Sequence, residues 1–186
     1  MKVKLIISLL FLTVSILIVL SSVLPWWYMS INEVTTGKSS WVRIYAWGLV
    51  HNMSELREFV ERYETPQPLM QAAKGYLAAL VFIALISSLL VFKAPNNVWK
   101  LALIAGITYF FYTIGFIPLL YEGTSTAPRP IPLQGEKWEF VEMYSVRIVA
   151  SFDLGYYLSL LSAALLLVLG LITWRKFSNV YVSCQS

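Results

Sequence analysis

The chain has 186 residues, of which 58% are hydrophobic and only 13% charged, a composition that excludes an ordinary soluble domain and places it with membrane proteins. Its net charge of +4 is not a nucleic-acid footprint, because the basic excess sits at the ends of apolar runs rather than on a basic face. A single cysteine, Cys184, excludes any disulfide within the chain and reads as a bystander thiol in a polar tail.

A bilayer core about 30 Å thick needs about 20 apolar residues in helical form. Four uncharged runs approach or exceed that length, 5–24, 75–92, 101–121 and 154–174. They predict one four-span membrane domain over 1–186, with outer loops 25–74 and 122–153, an inner loop 93–100 and an inner tail 175–186. Lys2, Lys4, Lys93, Lys100, Arg175 and Lys176 flank the spans on one side, while all ten acidic residues fall in the two long loops. Basic flanks mark the cytoplasmic side, so both termini are expected in the cytoplasm of a multi-pass plasma-membrane protein. The first span follows its lysines as a signal peptide would, but it has no small-residue cleavage pattern before Pro25 and is expected to stay as an anchor.

Pro25 ends the first span, since proline cannot donate to a continuing helix, and Trp26 and Trp27 follow at the expected outer headgroup level. Residues 27–34 and 40–49 are rich in aromatic and β-branched side chains around the turn signal Thr35-Thr36-Gly37-Lys38, which predicts a β-hairpin. In its second arm Trp41, Arg43, Tyr45 and Trp47 share one face and Val42, Ile44 and Ala46 the other. The Trp47-Gly48-Leu49 corner is expected to anchor the sheet, with Gly48 allowing close approach or a positive φ. Asn52-Met53-Ser54 matches the N-glycosylation acceptor. Leu56, Phe59, Val60 and Tyr63 then form the stripe of a short amphipathic helix, capped by Ser54 and stopped by Pro66, with Glu58 and Arg62 spaced to pair on a solvated face.

Between the second and third spans Pro95-Asn96-Asn97 predicts a turn. The third span pairs Ala102 with Gly106 as small packing positions and meets Pro118, where a kink is expected. After it, the prolines of 124–132 predict an extended arm. Residues 137–148 alternate Trp138, Phe140, Tyr144, Val146 and Ile148 against Lys137, Glu139, Ser145 and Arg147, as one strand would, with Glu142 breaking the pattern. The last span sets Gly155, Ser159 and Ala163 on one stripe suited to close helix packing, and Trp99 and Trp174 mark the inner interface.

Leu24-Pro25-Trp26-Trp27, Trp47-Gly48-Leu49 and Gln71-Ala72-Ala73-Lys74, set on four spans with a long first outer loop, resemble the claudin superfamily of tetraspan proteins. The chain departs from that pattern at Val50, where the family repeats tryptophan, in lacking the two loop cysteines, and in ending Cys184-Gln185-Ser186. The resemblance implies an all-α four-helix transmembrane bundle carrying a small extracellular antiparallel β-sheet formed by the two outer loops. It implies no barrier function, which depends on tissue context.

No charge lies within the four runs, and an intramembrane charge is the usual mark of a proton or ion relay, so pump and enzyme readings are disfavoured. His51 is the one histidine, which leaves no paired-histidine haem site and no cofactor or metal expectation. Two readings remain. One is a claudin-like structural or adhesion protein whose outer sheet associates with copies of itself or a partner. The other is a cofactor-free accessory subunit of a larger membrane complex, for example a respiratory one, docking through its small-residue stripes and aromatic spans. The expected partners are the lipid bilayer and either further copies or other membrane-protein subunits, not nucleic acid.

Overall fold

The computed structural model describes residues 2–52, 66–125, 131–141 and 144–177. Outside them lie the amphipathic helix expected after Ser54, the middle of the proline arm, Glu142 with Met143, and the tail with Cys184. Four helices form the frame: α1 (Lys2–Val23), α2 (Gln67–Lys93), α3 (Pro95–Ser125) and α4 (Leu154–Phe177). Each is long and apolar enough to cross a membrane. Five strands complete the described fold: β1 (Trp27–Glu33), β2 (Ser39–Tyr45), β3 (Gly48–His51), β4 (Gly135–Val141) and β5 (Tyr144–Phe152).

Two helices start and end beyond the expected runs, and proline explains why. Pro68 and Pro95 fall in first turns, where a missing N–H costs no helical bond. Pro95 therefore opens α3 instead of making a loop turn, and Ala94 alone separates α2 from α3. At its other end α3 runs through Pro118 to Ser125, so Thr124 and Ser125, expected in an extended arm, are helical. Thr124 Oγ1 donates to Leu120 O at 2.9 Å there.

The chain divides into two compact units, Met1–Leu20 with Gly75–Thr113 and Leu158–Ser186, and Ser21–Lys74 with Ile114–Tyr157. In the first, α3 and α4 meet through reciprocal notches. A Cβ on Gly106 would lie 2.9 Å from the Leu167 side chain and from its backbone nitrogen. A Cβ on Gly170 would lie 2.8 Å from the Leu103 side chain. The two Leu-x-x-Gly segments thus pack antiparallel, each leucine over the other's glycine, which is the close approach that membrane helices use in place of a hydrophobic drive. Buried hydroxyls in this unit turn back to their own helix: Ser15 donates to Phe11 O, Thr113 to Tyr109 O, Ser162 to Leu158 O and Thr173 to Leu169 O.

The second unit holds an antiparallel sheet of order β3-β2-β1-β5-β4. β1 is its centre, pairing with β2 from Trp27↔Ile44 to Asn32↔Ser39 and with β5 from Trp27↔Phe152 to Glu33↔Val146. The expected hairpin turn forms: Gly37 takes φ 69° and Glu33 N donates to Lys38 O at 2.9 Å. Two expected strands divide. The arm 40–49 reverses at Ala46-Trp47, so β2 and β3 pair with each other. The stretch 137–148 is likewise a hairpin, β4 against β5, with Val141 opposite Tyr144. One sheet face packs Trp27, Met29, Val42, Ile148 and Ala150 around Leu120 of α3, with Phe116, Ile131 and Leu133 at the margin.

Candidate functional site

Two tryptophans close the end of α1. A helix leaves its last four carbonyls without intrahelical donors. Trp26 Nε1 donates to Ser21 O and Trp47 Nε1 to Ser22 O, both at 2.9 Å. Trp26 is fully buried and meets Phe116 and Tyr156 edge-on, with centroids 5.4 and 5.9 Å away. Trp47, at the reversal between β2 and β3, stacks on Tyr45 at 5.2 Å and carries the Lys74 ammonium 4.4 Å from its ring centroid. Trp27 is buried too, its Nε1 donating to Leu133 O at 2.8 Å. Pro25 O accepts from Gly155 N and Trp26 O from Asp153 N. Leu49 packs at the edge of the sheet core, and Gly48 is buried with φ 158°, at the margin of extended backbone.

The sheet's other face is aromatic and cationic. Pairing Tyr28 with Arg43 and Trp138 with Arg147 sets these four on the side away from the Trp27 core. The Arg43 guanidinium lies 4.9 Å from the Trp41 ring centroid and 5.7 Å from that of Tyr28. Arg147 sits 5.8 Å from the Trp138 ring and grips Glu136 through Nε to Oε1 at 2.9 Å and Nη2 to Oε2 at 2.8 Å. That fork holds the Glu136 carboxyl below its ordinary pKa and raises that of the guanidinium. Its contribution is present above the ordinary carboxylate range and is lost as pH falls through the lowered folded value. Trp138 is 48% and Phe140 82% exposed. Exposed Trp, Tyr and Arg side chains are the types that dominate binding at protein interfaces.

Trp138 and Phe140 were not among the expected site residues, because a single strand over 137–148 sets them beside Ile148. The reversal between β4 and β5 pairs even-numbered residues with odd-numbered ones, so Trp138 shares a face with Arg147 while Ile148 turns to the core. Glu142, which broke the alternation, lies outside the described residues. Trp41, an expected site residue, does lie on this face.

Asn52 is exposed and continues the β2–β3 pairing: its N donates to Trp41 O at 3.2 Å, and its Oδ1 accepts from Trp41 N at 2.6 Å. His51, opposite Val42, is half-buried. On α4, Gly155, Ser159 and Ala163 are each buried, as the small-residue stripe predicts. Gly155 meets the chain at Leu24 and Pro25, where a Cβ would lie 2.6 Å from Pro25 O. No protein-family model matches the chain, and no characterised protein does.

Proposed function

We propose that the protein is a claudin-like, four-span structural or adhesion protein of the cell membrane, whose sheet stands outside the bilayer and associates with copies of the chain. The exposed aromatic and guanidinium face carries the reading. Its residue types suit a protein contact, and no buried charge cluster among the described residues competes with it as a site. The four apolar helices and the antiparallel sheet that joins β1 to β5 are compatible with that architecture.

The proposed orientation puts Lys2, Lys4, Lys93, Lys100, Arg175 and Lys176 in the cytoplasm. All six belong to the first compact unit and the whole sheet to the second. Trp99 and Trp174 pack at 6.1 Å beside Lys100, consistent with an interfacial belt at that end. A cysteine introduced at Ser39 or Ser125 should react with an impermeant thiol reagent in intact cells, and native Cys184 should not. Labelling of Cys184 from outside would reverse the orientation.

Extraction of the full chain in mild detergent, followed by identification of what travels with it, tests the association. Copies of itself are expected. A fixed set of other subunits would instead make the chain an accessory component of a larger complex.

The acceptor at Asn52 is proposed to carry a glycan in a host with the machinery. Asn52→Gln also removes the bond to Trp41 N, whereas Ser54→Ala destroys the acceptor triplet and leaves Asn52 in place. Both variants should lose the same mass increment, and an unchanged mass in both would show the site to be unmodified.

A further inference from the structure

The first compact unit carries six basic side chains and no acidic one, because all ten carboxylates of the chain fall in the second. Residues 178–186 add no charged side chain of either sign. Lys2, Lys4, Lys93, Lys100, Arg175 and Lys176 therefore have no carboxylate side chain in their own unit to neutralise them. Helix ends account for part of this charge. Lys93 stands in the last turn of α2, and Arg175 and Lys176 in that of α4, where the macrodipole is negative and favours cations. Lys2 and Lys4 open α1, where the dipole is positive and disfavours them, and no acidic residue in that turn offsets them. Lys4 Nζ lies 5.9 Å from the Phe177 ring centroid, and Lys100 Nζ 5.6 Å from that of Trp99, which packs on Trp174. The last turn of α4 is thus met from the starts of α1 and α3, and cations of three helices gather around it.

We infer that this end of the unit binds the headgroup of an anionic phospholipid, with Lys4, Lys100, Arg175 and Lys176 as the phosphate-binding groups around the end of α4. Apolar surface begins directly beside these cations: Leu5 and Ile6 on α1, Ile104 on α3, and Leu171 and Ile172 on α4 are all exposed. A ligand that suits both surfaces is anionic at one end and apolar along the rest. That describes a phospholipid, and neither free phosphate nor an acidic peptide. The Arg175 guanidinium can hold a phosphate through two parallel hydrogen bonds, while the ammonium groups act as point charges. Basic pockets between membrane helices at the headgroup level take such lipids, and Trp99 and Trp174 are the ring types that settle at that depth. The inference rests on the helices crossing a bilayer. It needs neither association of copies nor either orientation.

Titration of the full chain in mild detergent with phosphatidylglycerol or phosphatidylcholine of matched acyl chains, read by native mass spectrometry, tests the site. Phosphatidylglycerol should bind about tenfold or more tightly than phosphatidylcholine, since each Lys or Arg near an anionic headgroup contributes about fivefold. The double variant K100Q/R175Q should lose most of that preference. Lys100→Arg and Arg175→Lys, which keep the charge, should retain it. Lys38→Gln, an exposed cation of the second unit, should also leave it unchanged. Excess glycerol phosphate, which has the anion and no acyl chains, should displace little of the bound lipid. Complete displacement by it would make this a site for soluble phosphate and overturn the lipid assignment. Equal affinity for the two lipids, or a preference that survives K100Q/R175Q, would remove the headgroup site while leaving the four-span reading standing. A chain that stays soluble without detergent would remove the membrane reading and the site with it.

Discussion

Trp26→Ala should lower the stability of the sheet-bearing unit by about 3–5 kcal/mol, the cost of emptying a fully buried large aromatic site. The side chain is 1% exposed and touches Phe116 and Tyr156 edge-on, so its removal forfeits apolar burial together with two ring contacts. It also withdraws the indole donor from Ser21 O at the end of α1. Trp26→Phe separates these contributions. It keeps most of the ring packing and loses the donor, so its cost should be smaller, with about 1 kcal/mol from the hydrogen bond. Denaturant midpoints in detergent, with limited proteolysis between β1 and β3 as a local probe, would measure both. The alanine variant should expose the strands to protease while the four helices still insert. If its midpoint and cleavage pattern match the wild type, the tryptophan is an interfacial ring and not a packed one.

The features legible in the sequence are those that act over one or a few turns of chain. Uncharged runs located all four helices, and Thr35-Thr36-Gly37-Lys38 located a turn, because length and glycine's access to positive φ act locally. The start of α3 was misjudged at Pro95, where proline reads as a breaker although the first turn tolerates it. The two chain reversals were missed for a different reason. Ala46-Trp47 carries no glycine, proline or asparagine signal, and between β4 and β5 the sequence shows only an interrupted alternation, so pairing across the sheet decides where each strand ends. That decision transfers Trp138 and Phe140 to the exposed face, and with them most of the candidate surface. The Trp47 corner was legible as a cluster of aromatics. Its partner, the carbonyl of Ser22, was not, because a helix end accepts any donor that geometry brings to it. Gly106 was legible as a small packing position, but its fit against Leu167 depends on a second Leu-x-x-Gly segment more than sixty residues away.

Helix propensity and packing give opposite signs at Gly155, which makes Gly155→Ala a sharp test. In the first turn of α4 an alanine would, on propensity alone, stabilise the helix by up to about 1 kcal/mol. The structure leaves it no room. A Cβ there would lie 2.6 Å from Pro25 O and nearer still to Leu24 O, and both are backbone atoms that no rotamer change can move aside. Gly155 N also donates to Pro25 O at 3.1 Å, so relief by separation would stretch that bond. Two residues earlier, Asp153 N donates to Trp26 O at 3.0 Å, a second backbone bond that fixes the same crossing. Overpacking of this kind costs about 1–3 kcal/mol and outweighs the propensity gain, so the alanine variant should unfold earlier. Gly75→Ala supplies the contrast, because Gly75 lies exposed within α2 and a Cβ there meets nothing within 4 Å. That variant should gain roughly 0.5–1 kcal/mol. Opposite shifts of the unfolding midpoint in the two variants are the expected result. A gain in both would mean that α4 and the Leu24-Pro25 turn do not meet at Gly155, and the small-residue stripe would lose its first member.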